Sequence, residues 1–238
     1  MKKRRFFSDI QDKLAIACEI SCALLCILGV ILSLVHYLRD GYSHWSRRLL
    51  YFTAQSNIWL GAVCLFSFIS RLYSKHTYDS VLLYVKYSFV VSITMTGVVF
   101  CSLLGPLADS SYNAWSLSGI ITHVFTPVLG LLSLFLSRSS IRIEKKHCFI
   151  ALIPPILYFS TTIFLSFFNF DFGRGDNFVY FFLNFNSISS AFGFDFNSNP
   201  ILIGSIYWLI LLFLLMLSIA FFLRYFYNKL YTDKIFKS

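Results

Sequence analysis

Residues 201–223 read ILIGSIYWLILLFLLMLSIAFFL, a run of 23 positions without a charged side chain. Wound as an α-helix rising 1.5 Å per residue, such a run covers the ~30 Å hydrocarbon core of a bilayer. Five comparable apolar stretches precede it, at 14–38, 49–69, 81–104, 117–136 and 148–168. Across all 238 residues, 57% are hydrophobic and 13% charged, the latter about half the ~25% of an ordinary soluble domain. Phenylalanine alone contributes 28 residues, more apolar surface than one globular core of this length hides from water. The reading is an all-α, polytopic integral membrane bundle of six transmembrane helices, a single domain over 1–238, with 169–200 as an outer aromatic-rich loop. No stretch alternates in polarity as the strands of a membrane barrel do, and no length is left for a separate soluble catalytic domain.

The net charge of +9 suggests nucleic acid only if position is ignored. Sorted by side, fifteen Lys and Arg residues fall in the two tails and the second and fourth loops, four fall in the first, third and fifth loops, and Lys86 lies within a span. Basic residues are retained on the cytoplasmic side, so both termini are expected there and the charge is an orientation signal with membrane lipids as partners, not nucleic acid. The Lys2–Arg5 cluster ahead of an apolar run resembles a secretory signal, but the run is about 25 residues and lacks a small-x-small cleavage site, so it reads as a retained first helix.

Cys18, Cys22 and Cys26 recur every four residues along one face of helix 1, with Cys64 and Cys101 in other spans and Cys148 at an edge. That stripe reads as small packing residues rather than a disulfide scaffold or thiol chemistry. Among His36, His44, His76, His123 and His147, only His123 falls well inside a span. A zinc site would need three converging ligands, which the outer-side histidines 36, 44 and 123 supply only if the first loop folds inward; no metal and no cofactor is expected.

Helix 2 opens with Tyr51-Phe52-Thr53-Ala54-Gln55-Ser56-Asn57, placing four polar residues in five where the chain enters lipid. Thr53, Ser56 and Asn57 share a helix face, and the Gln55 and Asn57 amides need partners beyond their own backbone. Helix 4 carries Thr122-His123-Val124-Phe125-Thr126-Pro127. Counted from the helix starts, Thr53 lies ~6 Å and His123 ~9 Å deep on the same outer side. An imidazole in lipid must face the interior and find a partner. A hydroxyl beside a neutral imidazole is the minimum arrangement for acyl transfer, with Gln55, Ser56, Asn57, Thr126 or freed backbone N–H groups to hold an oxyanion. The residues alone leave three readings open: a catalytic Thr/His pair, a polar helix–helix contact, or part of a transport pathway.

The stretches Tyr51 to Asn57 and His123 to Pro127 together resemble the androgen-induced-gene family of six-helix membrane proteins, and within it the bacterial branch. The resemblance implies a hydrolase of fatty acid esters of hydroxy fatty acids, with Thr53 and His123 as the active pair, a small lipid-ester substrate and a multi-pass place in the bacterial plasma membrane. A third stretch, Val179-Tyr180-Phe181-Phe182-Leu183-Asn184, resembles the family's run before the last helix, with Phe181 where proline is usual and Asn184 where an acid is usual. The spacing from His123 to Pro127 is one residue shorter than in the animal members.

Within 169–200, Phe and Tyr crowd among Asn, Ser and Gly, as in a partly re-entrant cap over an outer pocket or a loop lying on the membrane surface; Arg174-Gly175-Asp176 within it reads as coincidence. Lys86 is expected to extend its stem toward the headgroups, since no acid is placed at its depth and Glu19 is read as lying near the start of helix 1. Ser92, Thr94 and Thr96 read as packing hydroxyls. Oligomeric state is not readable from the sequence.

Overall fold

The computed structural model describes residues 2–39, 44–73, 80–106, 113–137, 141–173, 175–195 and 202–235; Lys75, His76, Arg138, Arg174 and Lys237 lie outside the described residues. In chain order come α1 (Lys2–Arg39), a 3-10 turn (Trp45–Leu50), α2 (Phe52–Tyr73), α3 (Ser80–Val99), α4 (Leu117–Ile120), α5 (Thr126–Leu136), α6 (Lys145–Ile150), α7 (Ile153–Phe167), α8 (Ile188–Phe192) and α9 (Ser205–Ile235). A π-helical turn, Phe100–Leu104, extends α3, and another, Ile121–Phe125, joins α4 to α5. Six spans result that are long and apolar enough to cross a membrane: Ile10–Arg39, Phe52–Tyr73, Ser80–Leu104, Leu117–Leu136, Lys145–Phe167 and Ser205–Leu230. The fold is the all-α six-helix bundle expected.

Its polarity is inverted relative to a soluble domain. Leu24, Phe66, Leu157, Phe164, Leu214 and Phe222 are exposed, whereas Glu19, Ser56, Asn57, Lys86, Thr126 and Ser133 are fully buried. Only a hydrocarbon solvent makes that arrangement favourable, since lipid accepts the apolar rim and every polar group must be satisfied inside. α1 packs on α2 and α5, α2 on α3, and α3 on α5 and α9, so α3 is a central post. Cys22, Cys26 and Cys64 are buried at the α1–α2 contact, and the six cysteines are free thiols. No group of three His, Cys, Asp or Glu side chains suited to a metal occurs among the described residues, so the three outer histidines do not form a zinc site.

Two helix starts fall later than expected for physical reasons. α2 begins at Phe52 rather than 49, because the chain turns through Trp45–Leu50 first. The last helix begins at Ser205 rather than 201, because Leu202–Ile203 pairs antiparallel with Phe194–Asp195.

Lys86 does not extend to the headgroups. Its Nζ donates to Glu19 Oε1 at 2.6 Å, to Ser137 Oγ at 3.1 Å and to the Ser133 carbonyl at 3.2 Å. Arg71 closes the cluster, with Nε 3.0 Å from Glu19 Oε2. The helix that carries Glu19 starts well before the apolar run, so the carboxylate sits nine residues inside the span Ile10–Arg39 and meets Lys86 at depth. Taken out of lipid and bonded on several sides, the charges are tolerated together.

The end of the bundle at which α2 begins is capped by described residues between α7 and α9. Phe172, Val179, Phe182 and Leu183 are buried, Tyr37 donates its hydroxyl to the Phe172 carbonyl at 3.0 Å, and Ser166 donates to the Asn177 carbonyl. The aromatic loop is thus packed into the mouth of the bundle.

Candidate functional site

Two cavities meet under this cap. The outer one, a vestibule of about 410 Å³, is lined by Ser33, His36, Tyr37, Arg48, Tyr51, Phe100, Asn113, Ser116 and Ser118 together with Thr53, Leu104, His123 and Tyr180. The inner one, about 30 Å³, is walled by Phe52, Met95, Thr96, Val99, Phe159, Phe182 and Leu212 and by the same Thr53, Leu104, His123 and Tyr180. Four residues are therefore shared, and they form the seam between a polar mouth and an apolar pocket.

Thr53 lies in the first turn of α2, where the backbone N–H groups have no helical acceptor. His123 lies at the middle of the π turn Ile121–Phe125, a distortion that often marks functional positions. Its imidazole stacks on Phe100, centroids 3.8 Å apart and planes 4° from parallel, and Phe100 opens the other π turn. The ring is 5% exposed and its Nδ1 is buried without a hydrogen-bond partner. No hydrogen bond joins Thr53 to His123. No carboxylate lines either cavity among the described residues, so His123 is oriented by packing rather than by an acid. Its electrostatic neighbours are the Arg48 guanidinium and the Thr96 backbone carbonyl.

Tyr180 reaches this seam from the cap. The Thr53 hydroxyl and the backbone N–H groups of Phe52 and Thr53 act on its phenol oxygen, with Arg48 further off. Burial nevertheless raises the phenol above its ordinary pKa, so it stays protonated and can donate. Arg48 is fixed by its Nε, which donates to Ser33 Oγ at 2.6 Å, and by its guanidinium 4.5 Å over the Tyr51 ring. From the sequence Arg48 reads only as an orientation charge, although an arginine four residues before the start of a polar helix turn is a visible signal.

The other expected site residues are placed differently. Thr126 donates its N–H to the Ile121 carbonyl across the π turn, and Pro127 has no N–H, so the Thr122 carbonyl lacks its ordinary helical donors. Asn57 Nδ2 supplies one at 3.2 Å and gives its other hydrogen to the Thr53 carbonyl at 2.8 Å. Thr126 Oγ1 lies 3.1 Å from the Thr122 carbonyl and 2.7 Å from Asn57 Oδ1. Ser56 Oγ lies 3.2 Å from both the Thr53 carbonyl and Thr96 Oγ1. These three are a saturated bridge between helices and have no donor left for an oxyanion.

Gln55 points elsewhere, into a separate groove of about 400 Å³ with Trp59, Phe89, Leu157, Tyr158 and Leu165. Asn184 lines neither cavity; its Oδ1 accepts the Asn186 N–H at 3.1 Å, and its carbonyl accepts Ser205 Oγ at 2.8 Å. It is a turn residue joining the cap to the last helix.

α3 passes the π turn closely at Gly97, where a Cβ would fall 2.8 Å from the His123 carbonyl oxygen. No family model, curated protein or solved structure matches this chain.

Proposed function

We propose that the chain is a membrane-embedded hydrolase that cleaves a lipid or fatty-acid ester, in the plasma membrane of a bacterium, with both termini cytoplasmic and the pocket open to the outer leaflet. The carrying observation is the seam: Thr53, His123 and Tyr180 border both the polar vestibule and the apolar pocket, where an amphiphile would set its ester with the chain on one side and water on the other. The likeness of the segments around Thr53 and His123 to the androgen-induced-gene family supports the same chemistry.

In that mechanism Thr53 Oγ attacks the ester carbonyl as neutral His123 takes the hydroxyl proton. The negative charge formed on the carbonyl oxygen is met by the first-turn N–H groups of α2 and the Tyr180 phenol. The tetrahedral adduct collapses to an acyl-Thr53, and His123 returns the proton to the departing alcohol. Water from the vestibule then gives its proton to His123 and its oxygen to the acyl carbon, releasing the acid and restoring the Thr53 hydroxyl. The Thr53–His123 contact is to close as substrate binds, as catalytic hydrogen bonds often do.

Labelling with a fluorophosphonate probe tests this, comparing wild type with Thr53→Ala and His123→Ala, alongside turnover of a long-chain ester. Loss of labelling and turnover in both variants is expected. Equal labelling in all three removes Thr53 as nucleophile. It leaves the second reading, a non-catalytic binder or transporter of a lipid or small solute, which the unpartnered His123 Nδ1 at the seam also favours.

A further inference from the structure

The end of the bundle opposite the vestibule holds a cleft of about 460 Å³, lined by Arg142, Ile143, Glu144, Arg224, Tyr225, Asn228 and Lys229. It lies between the segment leading into α6 and the last turns of the sixth span, on the side to which the basic residues assign the cytoplasm. Its floor is firmly built. Asn228 accepts the Ile143 N–H at 3.0 Å and donates to the Ile143 carbonyl at 2.8 Å, and Arg224 Nε donates to the same carbonyl at 3.0 Å. Residues 224 and 228 are one helical turn apart, so α9 grips the backbone of Ile143 at two points. Nε is one of the five guanidinium donors of Arg224.

Among the described residues the lining of this cleft is mainly cationic, with Arg142, Arg224 and Lys229 against the one carboxylate of Glu144, which Lys146 pairs at 3.0 Å. The Lys229 ammonium sits 5.8 Å over the Tyr225 ring. Beside the cations, Phe222, Tyr225 and Phe226 are exposed in contact with one another, forming an apolar rim where acyl chains lie. Cations at headgroup depth with an aromatic rim below them match a phosphate attached to hydrocarbon. A zwitterionic headgroup would bring its own ammonium toward three cations.

We propose that this cleft binds the phosphate headgroup of an anionic phospholipid, through Arg142, Arg224 and Lys229, with its chains along Phe222 and Phe226. The site is separate from the Thr53–His123 seam and stands whether or not that seam is catalytic.

The test uses the purified full chain in mixed micelles, titrated with phosphatidylglycerol or phosphatidylcholine and read by native mass spectrometry and by the melting temperature. Phosphatidylglycerol should bind at lower concentration than phosphatidylcholine and raise the melting temperature more. The double variant Arg142→Gln/Lys229→Gln, which leaves both grips on Ile143 intact, should weaken phosphatidylglycerol binding by roughly tenfold. If that variant melts earlier in phosphatidylcholine alone, Lys229→Gln is read instead and should weaken binding in the same direction. Equal binding of the two lipids, or unchanged binding in the variants, overturns the proposal. So does a shift produced equally by inorganic phosphate, which would assign the cleft to a free anion.

Discussion

The His123 imidazole lies flat against the Phe100 ring, 3.8 Å between centroids and 4° between planes. Each residue belongs to a π-helical turn, one closing the third span and one inside the fourth. Two helical distortions thus meet at one contact, and they set the plane of the one histidine that borders both cavities among the described residues.

Replacing Phe100 by Leu keeps most of the apolar volume and removes the flat face. An aromatic pair is worth about 0.5–1.5 kcal/mol beyond its area, so stability should fall little. The fluorophosphonate labelling rate at Thr53 should drop by roughly tenfold, as a barrier rise of about 1.4 kcal/mol gives. An unchanged rate would mean that the stack does not orient the imidazole.

Asn57 should behave as a structural residue. Asn57→Ala strips a donor from the Thr53 and Thr122 carbonyls and an acceptor from the Thr126 hydroxyl, all buried. Leaving such groups unpaired costs about 1–3 kcal/mol each where nothing replaces the partner, so a marked loss in melting temperature is expected. If stability held while turnover vanished, Asn57 would belong to the oxyanion site after all.

Gln55 offers the opposite contrast within the same helix turn. Its side chain faces the groove with Trp59 and Leu157, away from the seam. Gln55→Ala should leave ester turnover and probe labelling at wild-type level and move stability by no more than about 0.5 kcal/mol. A strong loss of turnover would place the amide in the reaction.

The buried ion cluster gives a sharper stability test. Glu19→Gln leaves Lys86 and Arg71 facing a neutral amide inside the bundle, where breaking a buried pair costs about 3–5 kcal/mol. The double change Glu19→Leu/Lys86→Met removes both charges and should recover part of that loss. Thermal melting of the three proteins in one detergent decides it. If the single and double variants melt at the same temperature, the two side chains are not coupled.

Run length and the sidedness of Lys and Arg made the six spans legible in the sequence, because both are imposed by the bilayer rather than by neighbours. Thr53 and His123 stood out for the same reason, since polar groups in lipid must face inward. What the sequence hid was pairing between helices. Whether Asn57 is a donor to substrate or to Thr122 depends on the π turn, which arises where the Thr126 N–H skips back to Ile121. Lys86 and Glu19, 67 positions apart, could not be joined without knowing how early the first helix begins. Gln55 and Asn57 sit two residues apart, and the helix turns Gln55 to a side groove and Asn57 into the contact with the fourth span.

Gly97 tests whether the position of the π turn itself matters. A methyl added there would lie 2.8 Å from the His123 carbonyl oxygen and 3.1 Å from Pro127 Cγ, and neither backbone nor a proline ring can rotate away. Gly97→Ala must push the third and fourth spans apart, an overpacking that costs about 1–3 kcal/mol. The displaced turn carries His123 with it, so probe labelling should fall more than the stability loss alone explains when measured well below the melting temperature. Labelling that stays at the wild-type rate while melting falls would show that the seam tolerates movement of this turn, and that His123 need not be held where Phe100 and Gly97 now hold it.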